Sequence, residues 1–192
     1  EGMDRDVPPA HPSVAEGLAA AMKSKDILKA ATHPIYQRLR TALASDVRRT
    51  LQVLPELIPG VPPVTRFALV GHSFGGMVAL DVCREDRRCT ALVDLDGPPL
   101  GDLTAAHGPK KAAFKLRGFD RPLLVVATHA YRGVMAGADQ AWDALDKLCV
   151  QTTGPCLQVY MPGAGHLDVT EVPLMLPPWL ARRLFGGKAA IG

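Results

Sequence analysis

The sequence predicts an α/β fold, a mostly parallel sheet flanked by helices, and three observations predict it. Short aliphatic runs recur along the chain, each bounded by turn residues. Segments with helical spacing of apolar residues lie between them. The first, ending at Gly71, reads as a buried strand by its length and its bounding residues. Strands alternating with helices argue for parallel pairing with right-handed crossovers.

Taken in order, residues 1–12 carry three prolines and no periodicity, and read as loop. Ser13 and Glu16 form a capping-box pattern that opens a helix to about residue 31. A second helix starts near His33-Pro34. Tyr36, Leu39, Leu43, Val47, Leu51 and Leu54 mark its apolar face. Pro59-Gly60-Val61-Pro62-Pro63 ends it. Residues 66–70 form the first strand, residues 75–84 a helix and residues 90–95 the second strand. Residues 122–128 form the third strand, residues 139–148 a helix and residues 157–161 the fourth strand. A proline-interrupted helix over residues 172–184 follows.

Composition narrows the function. A chain of 192 residues suits one domain, and 47% apolar content is enough for a buried core. With only 5% aromatics, that core must be mostly aliphatic. The net charge of +3 is too small to imply a nucleic-acid partner. The densest basic stretch, residues 109–117, reads as a solvated face. No apolar run reaches the ~18 residues of a membrane span, and no signal peptide or lipidation motif is visible. The chain opens on Glu1 rather than Met, which points to processing or truncation upstream. Four cysteines lie in two close pairs, Cys83 with Cys89 and Cys149 with Cys156. They read equally as two local disulfides or as buried thiols. Pairing would argue for an oxidising compartment, secreted or organellar.

The chemistry centres on Gly71-His72-Ser73-Phe74-Gly75, followed by Gly76. The five-residue pattern alone is common. Its place between an apolar strand and a helical pattern gives it the context of a nucleophile elbow. In so tight a turn Ser73 sits in a strained backbone conformation, and side chains at positions 71 and 75 would collide. The helix behind it points its N-terminus at the same spot, and the Phe74 N–H is an oxyanion donor. The bland alternative is a glycine-rich turn with an incidental serine. His72 reads as a packing residue directed away from the reacting face.

A serine hydroxyl needs a base, and the base needs an orienting acid. His166, in Pro162-Gly163-Ala164-Gly165-His166 after the last strand, is the expected base, carried on a pliable glycine loop. His11, His33 and His107 fit less well, and His129, at the end of the third strand, is the rival. For the acid, Asp96 at the carboxyl end of the second strand ranks first. Asp139 is second, with helix capping as its competing role, and Asp94 is third, on the same strand face as Asp96 by alternation. Asp168 is expected to hold the histidine loop by hydrogen bonds. Gly97, Pro98 and Leu167, with neighbouring Pro99 and Leu100, should line an apolar substrate wall.

These residues resemble a known group. Residues 65–76 look like the elbow of platelet-activating-factor acetylhydrolases and their bacterial relatives, within the α/β-hydrolase superfamily. The segment from Ala91 to Gly97 is similar to the one from which that group takes its acid. Plant chlorophyllases share the layout. Their final motif resembles Gly165-His166-Leu167-Asp168, and the Cys149–Cys156 spacing is similar too. The likeness spans about residues 35 to 175. It implies hydrolysis of a small-molecule ester by a Ser-His-Asp triad, with no cofactor and no metal. A non-catalytic binding protein on the same fold, and acyl transfer or lyase chemistry on the same triad, are the alternatives. The resemblance also implies several strands before the elbow strand, yet residues 1–64 show no strand pattern. The expectation is therefore a C-terminal portion lacking its first strands and its second oxyanion donor. A missing N-terminal segment or another chain would complete the sheet, and this piece alone would be poorly active.

Overall fold

The structure is a computed structural model, and it describes residues 34–97, 119–129 and 148–171, with residues 175, 177, 179 and 180 beyond them. The expected helix over residues 13–31, most of those over 139–148 and 172–184, and the basic stretch 109–117 lie outside the described residues. Residues 148–151 are helical.

The described elements follow the order helix α1 (Pro34–Leu57), strand β1 (Phe67–His72), helix α2 (Phe74–Glu85), then strands β2 (Cys89–Leu95), β3 (Leu123–Thr128) and β4 (Cys156–Met161). The four strands pair in sequence order, and every pairing is parallel. Each expected strand is present, with ends displaced by a residue or two. The sheet carries its core on one face. Leu69, Leu92 and Leu123 stand in register there. They pack with Ala79, Leu80 and Cys83 of α2 and with Phe119, Val125 and Leu148. A smaller cluster joins Ala44 of α1 to Val78 and Val82 of α2. The aliphatic character expected of the core holds, with Phe119 as the large buried aromatic.

Of the expected apolar face of α1, Tyr36, Leu39, Val47, Leu51 and Leu54 are half-buried. Leu43 is exposed, whereas Arg40 and Ala44 are buried. The reason is electrostatic: the Arg40 guanidinium pairs with both carboxylate oxygens of Asp81 on α2. Burying a cation is costly unless it is paired and hydrogen-bonded, and the two-pronged contact meets that condition. Arg48 pairs with Glu85 further along the same two helices.

Both cysteine pairs are disulfides between sequence neighbours. Cys83–Cys89 ties the last turn of α2 to the first residue of β2, and Cys149–Cys156 ties residues 148–151 to the start of β4. The two readings left open by the sequence thus resolve to local pairing. Arg121 reinforces the same end of the sheet by donating to the carbonyls of Asp86 and Cys89.

β1 and β4 are the edges of the described sheet. Val70, on the sheet face away from the core, is 67% exposed. Among the described residues no strand precedes β1, and no helix is long and apolar enough to cross a membrane.

Candidate active site

Parallel pairing places all four carboxyl ends of the strands at one edge, and each end delivers one component. Ser73 follows β1, Asp96 follows β2, Thr128 ends β3 and His166 lies in the loop after β4. The strand ends of an open α/β sheet form the crevice where ligands bind.

Ser73 has φ 56° and ψ −123°, a combination that L-residues rarely adopt. Such a conformation costs on the order of 1–3 kcal/mol and persists only when its surroundings hold it. Here the Ser73 N–H donates to the Leu95 carbonyl at 2.9 Å, and the Gly76 N–H donates to the Ser73 carbonyl at 3.0 Å. A Cβ at Gly71 would lie 2.3 Å from the Gly75 carbonyl oxygen, so only glycine fits there. Gly75 itself is different: a Cβ there meets open space. The steric requirement expected of both flanking glycines falls on Gly71 alone, because the chain turns over position 71 and leaves position 75 facing outward.

His166 stands between Ser73 and Asp96. Its Nε2 lies 2.9 Å from Ser73 Oγ, and its Nδ1 lies 2.6 Å from Asp96 Oδ2. A carboxylate only accepts, so Nδ1 carries the proton and Nε2 is left to receive one from the serine. Asp96 is 1% exposed and sits at φ 56°, which ends the strand alternation at Leu95. Its carboxylate is satisfied by Thr128, whose N–H donates to Oδ1 at 2.6 Å and whose hydroxyl donates to Oδ2 at 2.7 Å. Thr128 was not among the sequence candidates. Its signal was its position at the carboxyl end of the next parallel strand.

Asp94 does not share the environment of Asp96, contrary to simple alternation. Its Oδ1 accepts the Gly97 N–H at 2.9 Å. The same oxygen fills the space that a Cβ at Gly76 or Gly97 would need, at 2.0 and 2.1 Å. Burial pushes the Asp94 carboxyl well above the usual carboxylate range, with the nearby Asp96 charge adding to the effect. Asp94 is thus the peg on which the elbow helix and the acid turn close. The rival base His129 is also accounted for, since its Nδ1 lies 2.8 Å from the Tyr160 hydroxyl. Asp139 and Pro98 lie outside the described residues.

The histidine loop is fastened at two points. The Asp168 carboxylate accepts the Gly165 N–H at 2.7 Å, and the Asp168 N–H donates to the Gly165 carbonyl at 3.0 Å. His72 supplies the second: its Nε2 lies 2.8 Å from the His166 main-chain oxygen, and the two rings are 4.6 Å apart. The expectation that His72 points away is therefore corrected. β1 continues through His72, so this side chain takes the sheet face over which the loop after β4 folds.

Phe74 is the first residue of α2, where a backbone N–H has no intrahelical acceptor. Its ring meets Tyr36 of α1 edge-on at 4.7 Å, and burial pushes the Tyr36 phenol up to about 12. Gly97 is buried against the Ser73 carbonyl, and Leu167 is half-buried beside the base. Among the described residues no group of His, Cys, Asp or Glu is arranged to hold a metal.

No protein-family model and no curated protein sequence matches the chain. Solved structures do. A ferulic acid esterase from Streptomyces cinnamoneus superposes with a TM-score of 0.51 at 24% identity, over 80% of this chain and 40% of the esterase. A dienelactone hydrolase from Anabaena variabilis matches at TM-score 0.48 and 20% identity, over 92% of this chain and 78% of that one. A dienelactone hydrolase-like promiscuous phosphotriesterase from metagenomic libraries gives 0.48 and 20%, over 71% and 52%. The chain thus spans about two fifths of the length of the esterase. With its parallel sheet and strand–elbow–helix turn, the chain has an α/β-hydrolase type of fold.

Proposed function

We propose that the protein is a serine-dependent carboxylic ester hydrolase working through an acyl-enzyme. The observation that carries this reading is the unbroken relay from Ser73 Oγ through both nitrogens of His166 to Asp96, with separations of 2.9 and 2.6 Å. Incidental neighbours would not share one tautomer, one strained turn and one buried, doubly bonded carboxylate.

Ser73 Oγ attacks the ester carbonyl carbon while His166 Nε2 takes the hydroxyl proton. The tetrahedral oxyanion forms next to the Phe74 N–H, at the positive end of α2. Asp96 steadies the imidazolium without itself taking a proton. Collapse expels the alcohol, which leaves with the proton from His166, and the acyl group stays on Ser73. Water then attacks the acyl-serine with His166 again as base, releasing the carboxylic acid. No step calls on a cofactor or a metal. Gly97 and Leu167 would line the acyl wall.

The finer kinship proposed is with the platelet-activating-factor acetylhydrolase and chlorophyllase-like group. Its support is the acid placed after the strand that follows the elbow, together with Gly165-His166-Leu167-Asp168 and the Cys149–Cys156 bridge.

A panel of chromogenic esters graded by acyl length tests the activity. Turnover with a burst of released alcohol, lost in Ser73→Ala, is expected. Adding a competing alcohol separates hydrolysis from acyl transfer, since a transferase would give mainly the new ester. Absence of turnover across the panel by the folded protein with its sheet completed would remove the proposal.

A further inference from the structure

We propose that His72 is a positioning residue for the base, holding His166 over Ser73 through the main chain of the histidine loop; this rests on the hydrolase reading above. Three observations carry it. The His72 Nε2–H donates to the His166 carbonyl at 2.8 Å across 94 residues of sequence. The two imidazoles lie 4.6 Å apart at a 38° tilt. His72 also adjoins Ser73 at the end of β1, so one strand terminus fixes both the nucleophile and the backbone of its base.

The contact has a property suited to this task. A carbonyl only accepts, so His72 must present a protonated Nε2, and that nitrogen carries its proton in one neutral tautomer and in the imidazolium alike. Asp168 cannot replace it. Its bonds run to Gly165 and set the shape of the turn, whereas the bond from His72 connects that turn to the sheet. The turn's other bond to the sheet, from the Ala164 N–H to the Met161 carbonyl, lies two residues before the base, and the ring contacts of His166 to Asp96 and Ser73 are the ones that must hold steady while the proton moves. A displacement of about 1 Å in such a group costs up to about a hundredfold in rate.

The substitutions separate the hydrogen bond from the ring. His72→Phe keeps a ring but has no donor. His72→Gln places an amide N–H near the position of Nε2. His72→Asn is polar but too short to reach, and replaces the Phe variant if that one does not fold. The expected result is a fall in kcat of about tenfold for H72F, with KM within about twofold, an unchanged melting temperature and recovery in H72Q to within about threefold. Wild-type kcat in H72F, or equal loss in H72F and H72Q, would overturn the proposal.

A second readout does not depend on turnover. In proton NMR, the His166 Nδ1–H bonded to Asp96 should exchange with water about tenfold faster in H72F than in wild type, and return in H72Q. If no ester is turned over, the hydrolase reading fails while this measurement still decides the tether. Unchanged exchange in H72F would overturn it.

Discussion

Thr128 grips both oxygens of Asp96, one through its N–H at 2.6 Å and the other through its hydroxyl at 2.7 Å. Both residues are essentially without solvent exposure. The proposed acid is thus oriented by the strand next to its own, and His166 Nδ1 meets the same Oδ2 that the Thr128 hydroxyl reaches. Asp96→Asn should leave the fold intact and lower kcat on the order of 10³–10⁴-fold, because an amide can hold His166 in the wrong tautomer. Thr128→Val is nearly isosteric and removes only the hydroxyl donor. It should lower kcat about tenfold, consistent with one hydrogen bond to a charged group. Steady-state kinetics on both variants, with melting curves as the fold control, check the order of the two effects.

The two glycines flanking the elbow are predicted to behave differently, although the motif treats them alike. Gly71→Ala drives a methyl to 2.3 Å from the Gly75 carbonyl oxygen, backbone against backbone. It should cost about 3 kcal/mol of stability. Gly75→Ala meets nothing, at a position without positive φ in the first turn of α2. It should be neutral or stabilise by up to about 1 kcal/mol. Denaturant melts of the two variants give the comparison directly.

Asp94 makes a prediction about pH. Its folded-state pKa is raised well above the ordinary carboxylate value, chiefly by burial. Its contribution to stability is therefore complete below about pH 4 and is lost as pH rises through the folded pKa. Asp94→Asn resembles the protonated carboxyl and cannot lose that proton. The stability of D94N relative to wild type should therefore increase with pH from about 4 upward, then level off. Contributions from other titrating groups are common to both proteins and cancel in the difference. Urea melts across that range test it, and a difference independent of pH would contradict it.

Much of this arrangement was legible in the sequence because its signals are local. Each strand is an aliphatic run between turn residues, and Gly71-His72-Ser73-Phe74-Gly75 sits where a strand meets a helix. Position after the last strand points to His166, and position at the carboxyl end of the second strand ranks Asp96 ahead of Asp139 and Asp94. What was not legible depends on contacts between distant segments. Arg40 buries because Asp81, 41 residues away, faces it. A strand pattern says which side His72 takes, not which loop folds over that side. Asp94 and Asp96 part company because Asp96 adopts positive φ, which no alternation rule anticipates. Thr128 escaped notice because a threonine ending a β-strand is unremarkable until its neighbour strand is known.

The central claim is that Ser73 is a nucleophile activated by His166. Incubation with a fluorophosphonate probe, followed by peptide mass spectrometry, tests it most directly, because phosphonylation asks only for an activated serine and needs no knowledge of the ester. A single adduct on Ser73, lost in Ser73→Ala and slowed on the order of 10³-fold or more in His166→Ala, is the predicted result. A cooperatively folded protein that carries no adduct at Ser73, or one labelled equally fast without His166, would contradict it.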